Sequence, residues 1–268
     1  MTSSARDQIY RTPIADIGGF RFDRQVVDVF PDMLDRSIPG YSSIIAQSGL
    51  LAEHFAREGT RCYDLGCSLG ATLLSMRHAI SCAECELVGV DNSSAMIERC
   101  EELIDADDKA TIADRQSDSS VNPNIETDAD TKILPPISLI NADIEQVEID
   151  NASVVALNFT LQFVEPAYRS TLLNRIGNAI VDGGALILSE KIKFDDQFLH
   201  DLYTDQYHAF KKANGYSDLE ISQKRSALEN VLIPDTVDTH LARLGNAGFK
   251  HCSVWFQCFN FVSIIAVK

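Results

Sequence analysis

The sequence predicts an α/β fold: a mostly parallel, seven-stranded sheet with helices on both faces and an antiparallel hairpin at its C-terminal end. Three observations lead there. From Thr60 onward, short apolar runs alternate with helical stretches at the spacing of βαβ units. The first run ends in a turn, Gly66-Cys67-Ser68-Leu69-Gly70, that opens directly into a helix. The last two runs, 252–256 and 259–267, are joined too tightly for a parallel crossover, which needs about a dozen residues.

Taken in order, residues 1–59 read as an N-terminal helical segment that covers the site. Ile44, Ile45, Gly49, Leu51, Ala52 and Phe55 recur there at helical spacing, and Gly59 stops the pattern. Residues 60–268 read as the ligand-binding domain. Its strands fall at 60–65, 86–90, 137–141, 153–158 and 185–189, separated by helices at 71–80, 94 to about 104, and 166–181. After Lys191 the alternation stops. Residues 195–230 are mostly helical, and a helix over 236–248 ends at Gly248 before the hairpin. The stretch 105–136 is acidic, rich in Ser, Asn and Thr and nearly free of aromatics, so it reads as a long surface loop.

Composition narrows the function. A chain of 268 residues can bury a full core. Its net charge of −16, with no basic stripe, argues against a surface that grips nucleic-acid phosphates. No run approaches the ~18–20 uncharged residues of a membrane span. The first twenty residues lack an apolar signal core and carry Asp7 and Asp16, so secretion is not expected. Seven cysteines, an odd number, suit reduced thiols in the cytoplasm. Cys82-x-x-Cys85 has neither a second pair nor a nearby histidine to complete a metal site, and no metal is expected.

In open α/β sheets, ligands bind beyond the carboxyl ends of the strands. The first strand ends in Asp64-x-Gly66-x-Ser68-x-Gly70, whose glycines let the backbone bend and approach a ligand. Ser68 stands where a dinucleotide fingerprint has its middle glycine, so a pyrophosphate cradle is disfavoured. Asp91 ends the second strand, where a carboxylate can accept hydrogen bonds from both hydroxyls of a ribose; capping the next helix is the competing role, which Asn92 or Ser93 would also serve. Asp143 and Ile144 follow the third strand, at the expected place of an adenine ring. Asn158 ends the fourth, beside the reactive end of a ligand.

With these residues the chain resembles the carboxy-S-adenosyl-L-methionine synthases of bacterial tRNA wobble-uridine modification. The matching segments are FPDMLDRSIPGYSSII, YDLGCSLGATLLS, DNSSAMIERC, NFTLQF, GGALILSEK, FKKANGYSDLEISQKRSALENV and WFQCFNF, spread from about Phe20 to the C-terminus. The acidic stretch 105–136 is longer than the family pattern. The resemblance implies a Rossmann-like class I methyltransferase fold that binds S-adenosyl-L-methionine (SAM) on Tyr41, Gly66, Cys67, Ser68, Asp91, Asn92, Asp143, Ile144, Asn158 and Arg225.

It further implies that SAM and prephenate become carboxy-SAM and phenylpyruvate. Loss of a methyl proton gives a sulfonium ylide, which captures the carboxyl group leaving prephenate. Arg225 is then the catalytic residue, its planar fork holding the new carboxylate, and Tyr41 closes over the ligand. A homodimer is expected, with a separate tRNA carboxymethyltransferase using the product. From the residues alone Arg225 reads first as a surface arginine on an amphipathic helix beside Lys224, and only the resemblance reverses that. An ordinary SAM-dependent methyltransferase acting on a small acid or tRNA, and a non-catalytic SAM-binding module, remain competing readings.

Overall fold

The computed structural model describes residues 5–82, 84–119 and 134–268. Among them seven strands form one sheet: β1 (Arg61–Leu65), β2 (Glu86–Asp91), β3 (Ile137–Asn141), β4 (Ala152–Asn158), β5 (Ile180–Lys191), β6 (His251–Cys258) and β7 (Phe261–Val267). Their order is β3-β2-β1-β4-β5-β7-β6. The first five are parallel, and β7 runs antiparallel to both β5 and β6. This is the sheet and hairpin that the sequence predicts.

The strands are apolar almost throughout because both faces are covered. Register shows how. Tyr63 lies opposite Val88 and Val155, and Val155 opposite Leu186. That row packs against Leu172 and Ile176 of α5 (Arg169–Ala179) and Leu244 of α8 (Val237–Asn246). One residue earlier, Cys62, Leu87 and Val154 face the other way. They pack against Ala52 of α2 (Tyr41–Phe55) and Leu73 and Met76 of α3 (Ala71–Ala79). The period-two alternation of side chains thus builds two cores from one set of strands.

Ahead of α2, α1 (Arg24–Ser37) begins at Asp23, whose carboxylate accepts the N–H groups of Gln25 and Val26. It buries Val26, Val27, Phe30 and Met33 against Leu69 and Met96. Beyond β5, α6 (Gln197–Ala213) and α7 (Asp218–Leu228) follow. A reciprocal capping box between Ser217 and Glu220 fixes the start of α7.

The acidic stretch departs from expectation. Helix α4 runs from Ser94 to Ser119, so residues 105–119 are helical and not loop. Ala106, Lys109 and Ala110 favour a helix, and a buried arginine anchors it. Arg77 of α3 donates to Asp107 at 3.3 Å, meets Asp108 at 2.6 Å and donates to the Pro135 carbonyl at 3.2 Å. Acidity that reads as solvation in the sequence here serves an ion pair. The rest of the expected loop, 120–133, lies outside the described residues.

Candidate active site

The chain reverses its winding between β1 and β4, and a ligand crevice belongs at that point. A cavity of about 600 Å³ opens there, within the usual range for small-molecule sites. Tyr41, Gly66, Cys67, Ser68, Asp91, Asn92, Asp143, Ile144 and Asn158 all line it.

The turn after β1 is shaped for close approach. Gly66 sits at φ 83°, and a Cβ there would lie 2.4 Å from Thr160 Oγ1. Ser68 takes φ 50°, a costly conformation for a residue with a side chain. Its N–H donates to Asp91 Oδ2 at 2.9 Å, while Asp91 Oδ1 accepts the Ser93 N–H at 2.9 Å. Asp91 therefore braces the turn and the entry to the following helix, while Ser93 caps that helix by accepting the Met96 N–H on its Oγ at 3.3 Å. Burial raises the proton affinity of Asp91, and the Ser93 and Ser68 N–H groups oppose the rise.

Farther along, Asn92 Nδ2 donates to Asp143 Oδ1 at 2.7 Å, tying the ends of β2 and β3 together. Ser189 donates to Asn158 Oδ1 at 2.6 Å, which turns the amide nitrogen toward Thr72 Oγ1 at 3.1 Å and Ser48 Oγ at 3.3 Å. Tyr41 starts α2 beside Phe159, ring centroids 6.3 Å apart. Burial, then Asp64 and Asp35, push its phenol well above the usual range.

Asp64 has the most perturbed carboxyl of the cavity wall. It is 2% exposed, and among the described residues no hydrogen bond reaches its side chain. Burial, and then the charge of Asp91, push it up to about 8. The apolar wall comes from the N-terminal segment, with Phe20, Phe22, Phe30, Met33 and Leu34. Phe22 packs edge-on against Phe163 at 5.3 Å.

The opposite end is cationic. Lys191 and Lys224 line it, the Tyr207 ring packs on the hairpin residue Phe261 with Lys191 and Lys211 over it, and Lys224 lies over the Tyr216 ring. Arg225 does not line this cavity. It is exposed on α7, whereas Lys224, one residue earlier, faces inward. Consecutive helical residues point about 100° apart, so only one of the two can face the site. Arg225 stays close enough to act on His208: burial, then Lys211, Arg225 and Lys191, hold that imidazole below its usual range.

Four strand ends carry the residues singled out from the sequence. The fifth, the carboxyl end of β5, carries Lys191, and the same rule finds it. Asp64 was inside the quoted motif, but nothing local announces its burial. Among the described residues, no group of three or more His, Cys, Asp or Glu could hold a metal ion, and no helix is long and apolar enough to cross a membrane.

No family model matches the chain. It is 51% identical to the carboxy-S-adenosyl-L-methionine synthase of Sodalis glossinidius, covering 98% of this chain and 97% of that one. It is 50% identical to the enzyme of that name from Escherichia coli K12, over 99% and 98% of the two chains. Among solved structures, a putative S-adenosyl-L-methionine-dependent methyltransferase of Methanococcus maripaludis shares the fold, with TM-score 0.54, 16% identity, and 96% and 97% coverage. Human N-acetylserotonin methyltransferase in complex with SAM superposes with TM-score 0.54 at 14% identity, over 91% of this chain and 55% of that one. Half the residues shared over nearly the whole length of both chains is far beyond likeness of fold, and the chain belongs to the carboxy-S-adenosyl-L-methionine synthase family.

Proposed function

We propose that the protein converts SAM and prephenate into carboxy-SAM, phenylpyruvate and water. The observation that carries this is the polarity of the cavity: strand-end carboxylates at one end, and two lysines at the other in a chain of net charge −16. SAM presents a cation and a ribose to the first end; an organic anion is drawn to the second.

In this reading Asp91 receives the ribose hydroxyls, Asp143 and Ile144 the adenine, and the turn Gly66-Cys67-Ser68 the methionine portion. Asp64 faces the positive groups of SAM, and Asn158 and Tyr41 flank the sulfonium. The carbon–carbon bond to the departing carboxyl of prephenate breaks as the ring becomes aromatic and its hydroxide leaves. The ylide carbon takes up the carboxyl carbon, and the methyl proton leaves with the hydroxide as water. Aromatic side chains of the N-terminal segment 1–59, Phe20, Phe22 and Phe30, cover the site of residues 60–268 and keep bulk water from the ylide.

Arg225 faces solvent in its own chain, so its fork is offered to the transferred carboxylate of a second copy in a homodimer. The product passes to a separate tRNA carboxymethyltransferase in the cytoplasm. The acidic surface disfavours direct binding of nucleic acid.

Mass spectrometry of purified protein incubated with SAM and prephenate tests the reading. A SAM derivative heavier by one CO2, with phenylpyruvate released in equal amount, is expected. S-adenosylhomocysteine, or unaltered SAM, overturns it.

A further inference from the structure

Three lysines from three different elements converge behind the reactive end of the cavity. Lys191 Nζ lies 4.9 Å from the centre of the Tyr207 ring and Lys211 Nζ lies 5.1 Å from the same ring. Lys211 and Lys224 in turn meet the Tyr216 ring at 5.9 and 5.6 Å. Lys211 and Lys224 are each 5% exposed.

Acidic compensation is sparse. Asp7 Oδ2 is 3.8 Å from Lys224 Nζ but accepts the Tyr216 hydroxyl at 2.6 Å, and Asp32 is occupied by Arg36 at 3.0 Å. Among the described residues Lys191 makes no ion pair. Burial lowers Lys191 to about 8, and burial together with neighbouring lysines lowers Lys211 to about 7. Clustered, desolvated ammonium groups of one sign are unfavourable unless an anion joins them. The cavity wall formed by two of them is where that anion fits.

We propose that Lys191 and Lys224 bind the carboxylate that the organic-acid co-substrate retains, with Lys211 adding positive charge from behind. This deepens the proposed reaction and rests on it. The lysines suit the retained carboxylate better than the departing one. An ammonium paired to a carboxylate that must leave as neutral carbon dioxide stabilises the ground state more than the transition state, and so slows the step. Held by its far end on the lysines, the acid extends its departing carboxyl toward the sulfonium and the apolar wall. Lys191 and Lys224 are thus specificity-determining residues for a dicarboxylate.

The test uses phenylpyruvate, which keeps the carboxylate in question, titrated calorimetrically into protein saturated with S-adenosylhomocysteine. Lys191→Met, which breaks no ion pair, should weaken phenylpyruvate binding at least ~30-fold and raise the KM for prephenate to match, with SAM affinity within about threefold of wild type. Lys191→Arg should recover part of the binding, and Lys224→Met should resemble Lys191→Met where it stays folded. Unchanged phenylpyruvate affinity in Lys191→Met overturns the proposal, as does an equal loss for SAM and phenylpyruvate. If the wild type binds phenylpyruvate through Lys191 yet makes no carboxy-SAM, the lysine site stands and the proposed reaction falls. If carboxy-SAM forms with an unaltered KM in Lys191→Met, the reverse holds.

Discussion

Asp64 and Asp91 stand at the carboxyl ends of neighbouring parallel strands, and the two differ in how their charge is met. Asp91 has the N–H groups of Ser68 and Ser93; Asp64 has no hydrogen-bonding partner among the described residues. The cavity wall therefore carries one braced carboxylate beside one carboxyl whose burial disfavours its charge.

A stability test follows from the sign of that shift. The folded-state value of Asp64, about 8, lies above the ordinary 3.8, so its stabilising contribution is complete in acid and is lost as pH rises through about 8. Asp64→Asn should therefore stabilise the ligand-free protein on the order of 3–5 kcal/mol at pH 8 and much less at pH 4. SAM, by supplying positive charge, should release a proton on binding below pH of about 8. Urea unfolding across pH and calorimetry in buffers of different ionisation heat measure the two effects. Equal stability of variant and wild type at every pH would show that the carboxyl is not desolvated.

A second pH effect lies away from the site. His240 is 1% exposed and among the described residues neither ring nitrogen has a hydrogen-bond partner. Burial, with Asp235 opposing and then Arg243 and Arg169 reinforcing, lowers it to about 4. Because the unfolded chain takes up a proton first, stability falls between about pH 6.5 and 4, by roughly 3 kcal/mol. His240→Leu should remove that portion of the acid sensitivity and leave stability near neutral pH little changed. If the wild type and variant lose stability in parallel from pH 7 to 4, the histidine is not buried as described.

Arg77 offers a test of the long helix. With Asp107, Asp108 and Pro135 all on its guanidinium, Arg77→Ala leaves the buried Pro135 carbonyl and the partly buried Asp107 unmatched and should cost about 2–3 kcal/mol in urea unfolding. Arg77→Lys should restore only part, since one ammonium cannot serve three directions. A cost below about 1 kcal/mol would mean that α4 beyond Ile104 is not packed on α3.

These residues also mark where the sequence is legible. Asp91, Asp143 and Asn158 could be placed because each follows an apolar run whose end is visible locally. The packing of α4 could not, since it depends on Arg77, some thirty residues earlier in the chain. On α7 the inward face carries Glu220, Gln223 and Lys224 beside Ile221 and Ala227. Polar residues on a buried face blur the helical phase, and Lys224 and Arg225 cannot be told apart without it. The lysine cluster draws on β5, α6 and α7, so no window of sequence contains it.

The strand order has one more consequence, for synthesis. β7 is made after every other strand yet sits between β5 and β6. It brings Phe261 to a wall that Phe22 and Tyr41 began. At ribosomal rates of about 5–20 residues per second, tens of seconds separate those contributions. For the last several seconds of that interval, from the completion of β5 onward, the nascent chain carries the bare edge of β5, with Ile187 and Leu188 unpartnered on the side that β7 will occupy. SAM cannot hasten this stage, because the binding chamber closes only with the final strand. The protein must cross its most aggregation-prone state without the ligand's help, which leaves the task to chaperones and to the speed of one late insertion.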